Sequence, residues 1–242
     1  MDWVRDFLKR LWGCPARIEA DPPARRLLAV FLTLDLVFMA TTILHYLHYS
    51  HGLGPDFTGD KNWGVGFERS YPELFNYAQV ALLVGLLAFT WARSRSPAYL
   101  VAMLVFLIVL LDDSLSIHEI WGAWLVHEIK FGPHFGLAAQ EIGELMTWCG
   151  FGVLLVVPLV WASRRADRRS FAECGVLAGL FGVLLVFAIG VDFVGSTFGK
   201  GTEFQSFLYP LIEDGGEMIV LSYTTAFALR LARESKTGPT AA

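Results

Sequence analysis

Residues 99–119 read YLVAMLVFLIVLLDDSLSIHE: thirteen apolar positions in a row, then two aspartates, two serines, a histidine and a glutamate. The apolar part has no polar residue at helical spacing, so no side of it is made for water. Such a segment suits a helix surrounded by hydrocarbon. The rest of the chain has the same character, with 242 residues, 55% hydrophobic, 17% charged and a mean hydropathy of +0.50, whereas a soluble domain carries about 25% charge. The reading is an all-α fold, a polytopic membrane helical bundle.

A helix needs about 20 residues to cross the hydrocarbon layer. On that criterion six transmembrane helices are expected, near Leu27 to His48, Phe75 to Trp91, Ala98 to His118, Gly136 to Trp161, Cys174 to Phe198 and Phe207 to Ala232. Their connections are too short for a second domain, and no repeat or low-complexity segment interrupts them. Residues 1–26 form an expected cytoplasmic amphipathic segment, 27–233 the six-helix domain and 234–242 a cytoplasmic tail. The segment MDWVRDFLKRLW alternates Trp3, Val4, Phe7, Leu8, Leu11 and Trp12 with Arg5, Lys9 and Arg10, the pattern of a basic helix lying on an anionic bilayer surface. It lacks the long apolar core of a removable signal.

Basic residues set the orientation. Fifteen of the 19 precede the first helix, follow the last, or join helices 2 to 3 and 4 to 5; Lys61, Arg69, Lys130 and Lys200 remain for the other side. By the positive-inside rule both termini are cytoplasmic. The stretch EIWGAWLVHEIKFGPHF, residues 119–135, places Ile120, Trp121, Trp124 and Leu125 on one face, which predicts a helical continuation at the outer surface. Cys14, Cys149 and Cys174 form no CxxC pair and receive no chemical role.

Counting along the helices puts an unusual number of acids at the outer end of helices 3 to 6: Asp112, Asp113 and Glu119; Glu141 and Glu144; Asp192; Glu213, Asp214 and Glu217. An ionised carboxylate facing lipid costs several kcal/mol, so such groups turn inward, where they are paired, hydrated or liganded. At 100° per residue, Asp112, Ser116 and Glu119 share one stripe of a straight helix 3, while Asp113 and His118 point elsewhere. Glu141 and Glu144, Glu213 and Glu217, and Asp192 and Ser196 are same-face pairs. The expected metal ligands are Asp112, Asp113, His118, Glu119, Glu141, Glu144, Glu213 and Glu217, with Asp192, His45 and His48 secondary. This oxygen-rich set favours a divalent ion such as Mn, Fe, Mg or Ca over Cu. Asp35, alone at mid-depth in FLTLDLVF, is expected to be protonated or bonded to a hydroxyl of a neighbouring helix.

Three stretches, ERSYPELFN (68–76), LDDSLSIHE (111–119) and LIEDGGEM (211–218), resemble blocks of a family of uncharacterised bacterial inner-membrane proteins. Its members share an acidic dipeptide followed by an I-H-E ending on one helix and E-x-x-x-E on the last. The resemblance implies a six-helix, multi-pass protein of the bacterial inner membrane, with Asp113, His118, Glu119, Glu213 and Glu217 part of a pattern. It implies no activity.

Three functions fit these features. One is a metal site at the outer face with a metal-assisted reaction; another is a non-catalytic subunit or scaffold of a larger membrane complex; the third is a cation or proton pathway. Expected partners are membrane lipids and other membrane subunits, and nothing points to nucleic acid. With no histidine after His134 and only six in all, neither a late H-x-x-x-H zinc site nor the histidine boxes of di-iron desaturases can be built.

Overall fold

The computed structural model describes residues 2–134, 136–191, 193–195 and 201–235. Among these the chain is all-helical. Two short helices, α1 (Asp2–Trp12) and α2 (Cys14–Glu19), lead into α3 (Pro22–His51). Then come α4 (Tyr71–Ser94), α5 (Pro97–Leu115), α6 (Ile117–Ile129), α7 (Ala139–Arg165), α8 (Arg168–Leu185) and α9 (Glu203–Glu234). A π-helical stretch, Val186–Val191, extends α8. The starts follow local rules: Asp21, Ser70, Asp167 and Thr202 each accept a backbone N–H two or three residues on, and prolines stand in the first turns of α3, α4 and α5.

Among the described residues five helices are long and apolar enough to cross a membrane: Pro22–His51, Tyr71–Ser94, Pro97–Leu115, Ala139–Arg165 and Arg168–Gly195. The sixth expected span, α9, is longer than any of them at 32 residues but less apolar. Its position gives the reason. α9 packs against α3, α4 and α8, and Gly215, Gly216, Met218, Ser222, Thr224, Thr225, Phe227 and Ala228 are all buried. A helix enclosed by protein needs small and hydroxyl-bearing side chains for close approach, not a lipid-compatible surface. α7 is the reverse case, with Val153, Leu154, Val156 and Val157 exposed.

Contacts fix the directions. Asp21 meets Arg233, Asp35 meets Ser222, and Gly215 lies against Met39, so α3 and α9 are antiparallel. At mid-height Ser222 donates to Asp35 (2.7 Å) and receives from the Gln79 amide (2.8 Å), with all three side chains fully buried. This is the hydroxyl partner expected for Asp35.

The bundle has a basic end and an acidic end. At the basic end Arg17 of α2 pairs with Glu173 of α8, and Arg169 of α8 pairs with Glu234 of α9 (2.8 Å), which also receives Arg230 of its own helix (2.6 Å). Phe7 and Leu11 of α1 rest on Gly175 and Gly179 of α8. Burial pushes the Cys14 thiol up to about 11, which leaves it protonated and inert. At the acidic end the 52–70 connection is laced onto α3, with Thr42 accepting the Val65 N–H (2.9 Å) and Thr41 donating to the Trp63 carbonyl (2.8 Å).

The helix expected to run through His118 stops at Leu115. Ser116 takes a left-handed conformation with φ +48°, and α6 starts afresh. The helical continuation expected there is present as α6, and Ile120, Trp121 and Trp124 are exposed on it. α6 lies antiparallel along α7: Gly122 is set against Gly143, and the His118 ring is 6.3 Å from that of Trp148.

Candidate metal centre

The break at Ser116 corrects the straight-helix geometry. Six residues apart on an unbroken helix, Asp112 and His118 would be about two turns distant and point about 120° apart. With the chain turned at Ser116, the fully buried Asp112 receives the His118 backbone N–H on Oδ1 (2.8 Å) and faces His118 Nδ1 through Oδ2 (2.8 Å). Asp112 thereby caps the start of α6 and orients the imidazole. With Nδ1 turned to Asp112, Nε2 is the nitrogen left for a ligand.

Asp112, Asp113 and His118 each offer one ligand atom within 4.8 Å of the others, a group that could hold a metal ion. Two carboxylates and an imidazole suit Mn or Fe well, and the carboxylates alone suit Mg or Ca. A carboxylate behind a ligating histidine is the usual arrangement around such ions.

His118 opens onto a cavity of about 510 Å³, which Glu141, Glu144 and Glu213 also line, together with Trp148 and residues 188–190 of the π-helical stretch. Two helices, α7 and α9, thus bring acids to one space and α6 brings His118, where the sequence predicted acids from four helices. Two of these acids have structural duties: Glu141 receives the Ala138 N–H (2.7 Å) at the start of α7, and Glu144 receives the Gln140 amide (2.8 Å). Neither these nor Glu213 closes to within 4.8 Å as part of a described cluster.

Other expected ligands lie apart. Glu119 and Glu217 neither join the group of three nor line the cavity; Glu119 was placed on the Asp112 stripe only by an unbroken helix. His45 is taken up by the loop, with Nδ1 2.6 Å from the Thr58 carbonyl, and His48 packs under Gly59. Asp192, with Ser196, Lys200 and Lys236, falls outside the described residues.

Two residues join the site unannounced. The Tyr77 hydroxyl sits between the Glu73 carboxylate and the Asp113 carbonyl (3.1 Å), and the Glu73 charge acts on both Asp113 and Asp214. In the sequence Ser70-x-x-Glu73 reads as a helix-capping pair, and that signal hides Glu73's second role. The π-helical stretch has no sequence signature at all.

Burial opposes a charge on His118, but the Asp112 hydrogen bond and the charges of Asp112, Glu144 and Asp113 outweigh it and hold the imidazole above its ordinary value. In the unfolded chain it titrates near 6.5. The pair therefore stabilises fully below about pH 6.5, and the contribution is lost as pH rises through the higher folded value. The melting-temperature gap between metal-free wild type and His118→Gln is expected to shrink from about pH 6 upward; a gap that widened would contradict the assignment.

No curated protein and no solved structure matches the chain. A family model, a domain of unknown function (DUF8692), matches residues 27–231, from the first turns of α3 to the last turns of α9, taking in all of the group and its cavity. The chain therefore belongs to this DUF8692 family.

Proposed function

We propose that this is a six-span protein of the bacterial inner membrane, with both termini cytoplasmic, that binds a divalent metal ion at its outer end and uses it in a metal-assisted reaction on a substrate admitted to the acidic cavity. The carrying observation is the Asp112, Asp113, His118 group opening through His118 onto that cavity. The six-span reading is supported by α9, which runs antiparallel to α3 along its length, and the orientation by the fifteen-to-four division of basic residues.

A divalent ion bound there supplies Lewis-acid polarisation to a substrate oxygen, a chemistry suited to hydrolysis. The protein's own contributions are distinct. Asp112 fixes the imidazole so that Nε2 is presented in one orientation. Glu144 and Glu213, in the cavity wall, supply negative potential for the cation and a carboxylate able to accept a proton.

Elemental analysis of the purified protein tests the reading. About one equivalent of Mn, Fe, Mg or Ca is expected, lost in His118→Ala and Asp113→Ala, with a Glu173→Gln control at the basic end retaining it. At a concentration one hundred times its dissociation constant the ion stabilises the wild type by about 2.7 kcal/mol. Absence of a stoichiometric metal, together with a melting temperature indifferent to all four ions, sinks the proposal.

A further inference from the structure

A second cavity, of about 400 Å³, lies between α5, α7 and α8. It is independent of the metal centre. Its walls belong to three helices that are each long and apolar enough to cross a membrane. Ser163 and Cys174 carry its lone hydroxyl and thiol, and no charged residue lines it. Its volume is within the roughly 300–1,000 Å³ of ordinary ligand sites. At membrane depth an opening of this kind does not hold ordered water, because one hydroxyl and one thiol are too few partners for it.

The sequence continues both walls into positive charge. On α7 the lining stripe runs Gly152, Leu155, Leu159, Ala162, and Arg165 stands three residues past Ala162 at the end of the helix. On α8 the stripe runs Ala178, Cys174, Phe171 toward the helix start, and three residues earlier stands Arg168. Both arginines stand within one turn of lining residues, Arg165 after Ser163 and Arg168 before Phe171, and so at the polar mouth of the cleft. Arg165 and Arg168 are exposed, as is Arg164 beside them. Arg169, by contrast, is committed to Glu234. Trp161 is exposed one turn inside this ring, at the level where tryptophan anchors a helix to the bilayer interface.

An apolar slot that ends in a cluster of guanidinium groups matches one kind of molecule in a membrane: an amphiphile with a hydrocarbon tail and an anionic head. We infer that the cleft between α5, α7 and α8 is a binding site for an anionic phospholipid, with an acyl chain in the slot and the phosphate held by Arg165 and Arg168. The planar guanidinium suits this task because it offers paired N–H donors to phosphate oxygens. The lipid fills the space between α5, α7 and α8 and so fastens α7 to α8.

The test uses the full-length protein, delipidated in detergent, with binding followed by native mass spectrometry and stability by thermal melting. The probes are phosphatidylglycerol, phosphatidylcholine with the same acyl chains, and inorganic phosphate. Phosphatidylglycerol is expected to bind more tightly than phosphatidylcholine and to raise the melting temperature, and phosphate alone to do neither. The double variant Arg165→Ala/Arg168→Ala is expected to lose roughly thirty-fold in affinity for phosphatidylglycerol with phosphatidylcholine unchanged.

A second variant reports on the slot itself. A Cβ added at Gly152 meets no atom within 4 Å, so Gly152→Leu starts into open space and projects into the cleft that Gly152 lines. It is expected to weaken both lipids roughly tenfold while helix content and the metal stoichiometry of the opposite end stay unchanged. Equal affinity for the two lipids in the wild type overturns the inference. So does phosphatidylglycerol binding that survives either variant intact, or that inorganic phosphate reproduces.

Discussion

Asp112→Ala is expected to be among the most damaging single substitutions in the chain, lowering stability by about 3–5 kcal/mol, the scale seen when one partner of a buried pair is removed. Asp112 is fully buried and both its oxygens are in use, one by a backbone N–H at the start of α6 and one by the His118 ring. Its removal leaves a helix start uncapped and an imidazole N–H unsatisfied. For a chain of this size the fall in melting temperature is on the order of 10 °C, readable by thermal melting in detergent. Asp112→Asn retains an acceptor for the backbone N–H and loses only the ring contact, so its cost is smaller, about 1–2 kcal/mol. Equal damage from the two variants would mean that the His118 ring contact, not the cap, carries the interaction. Wild-type stability in both would remove Asp112 from its assigned place.

The second large effect comes from Gly143→Ala. A methyl group there would lie 2.5 Å from the Gly122 carbonyl oxygen and 2.9 Å from the Gly122 Cα. Both are backbone atoms, and neither can swing aside as the end of a flexible side chain does. The α6–α7 hairpin must open, at a cost of about 3 kcal/mol or more. Opening also moves His118 relative to Glu144 across the cavity, so metal affinity is expected to fall together with stability. Gly150→Ala, on the same helix, is the control, since its added carbon meets nothing within 4 Å. It should be neutral or stabilise by about 0.5–1 kcal/mol through helix propensity. Were the two alanine variants to melt alike, the glycine contact would not be what holds the hairpin closed.

The pattern of success along the chain has a physical cause. The apolar segments were readable as helices because apolar length is local, but α3 and α4 extend beyond the expected Leu27–His48 and Phe75–Trp91, to ends set by Pro22, Gly52 at φ +64° and Ser70. α9 was harder to classify because its lower apolarity comes from neighbours that enclose it. Ser222 and Thr225 look like weak points for lipid exposure until Asp35 and Gln79 are found against them. Glu73 was masked by its role as a capping residue, and His45 looked free to bind a ligand until the Thr58 carbonyl took its ring nitrogen.

What the sequence determined by itself is the set of long helices, the collection of acids at one end of the bundle and of arginines at the other, because apolar length and charge position are local properties of the chain. Only the tertiary structure decided which acids meet. Helical periodicity predicts side-chain direction only while a helix stays straight, and Ser116 carries no strong local preference for the left-handed conformation that ends α5. That conformation is held by contacts made across the break, the Asp112 carboxylate with the His118 backbone and ring, and by the close fit of α6 on α7 at two glycines. Turning the chain at one residue redirects everything after it, and so exchanges the expected Asp112, Ser116, Glu119 stripe for the Asp112, Asp113, His118 group.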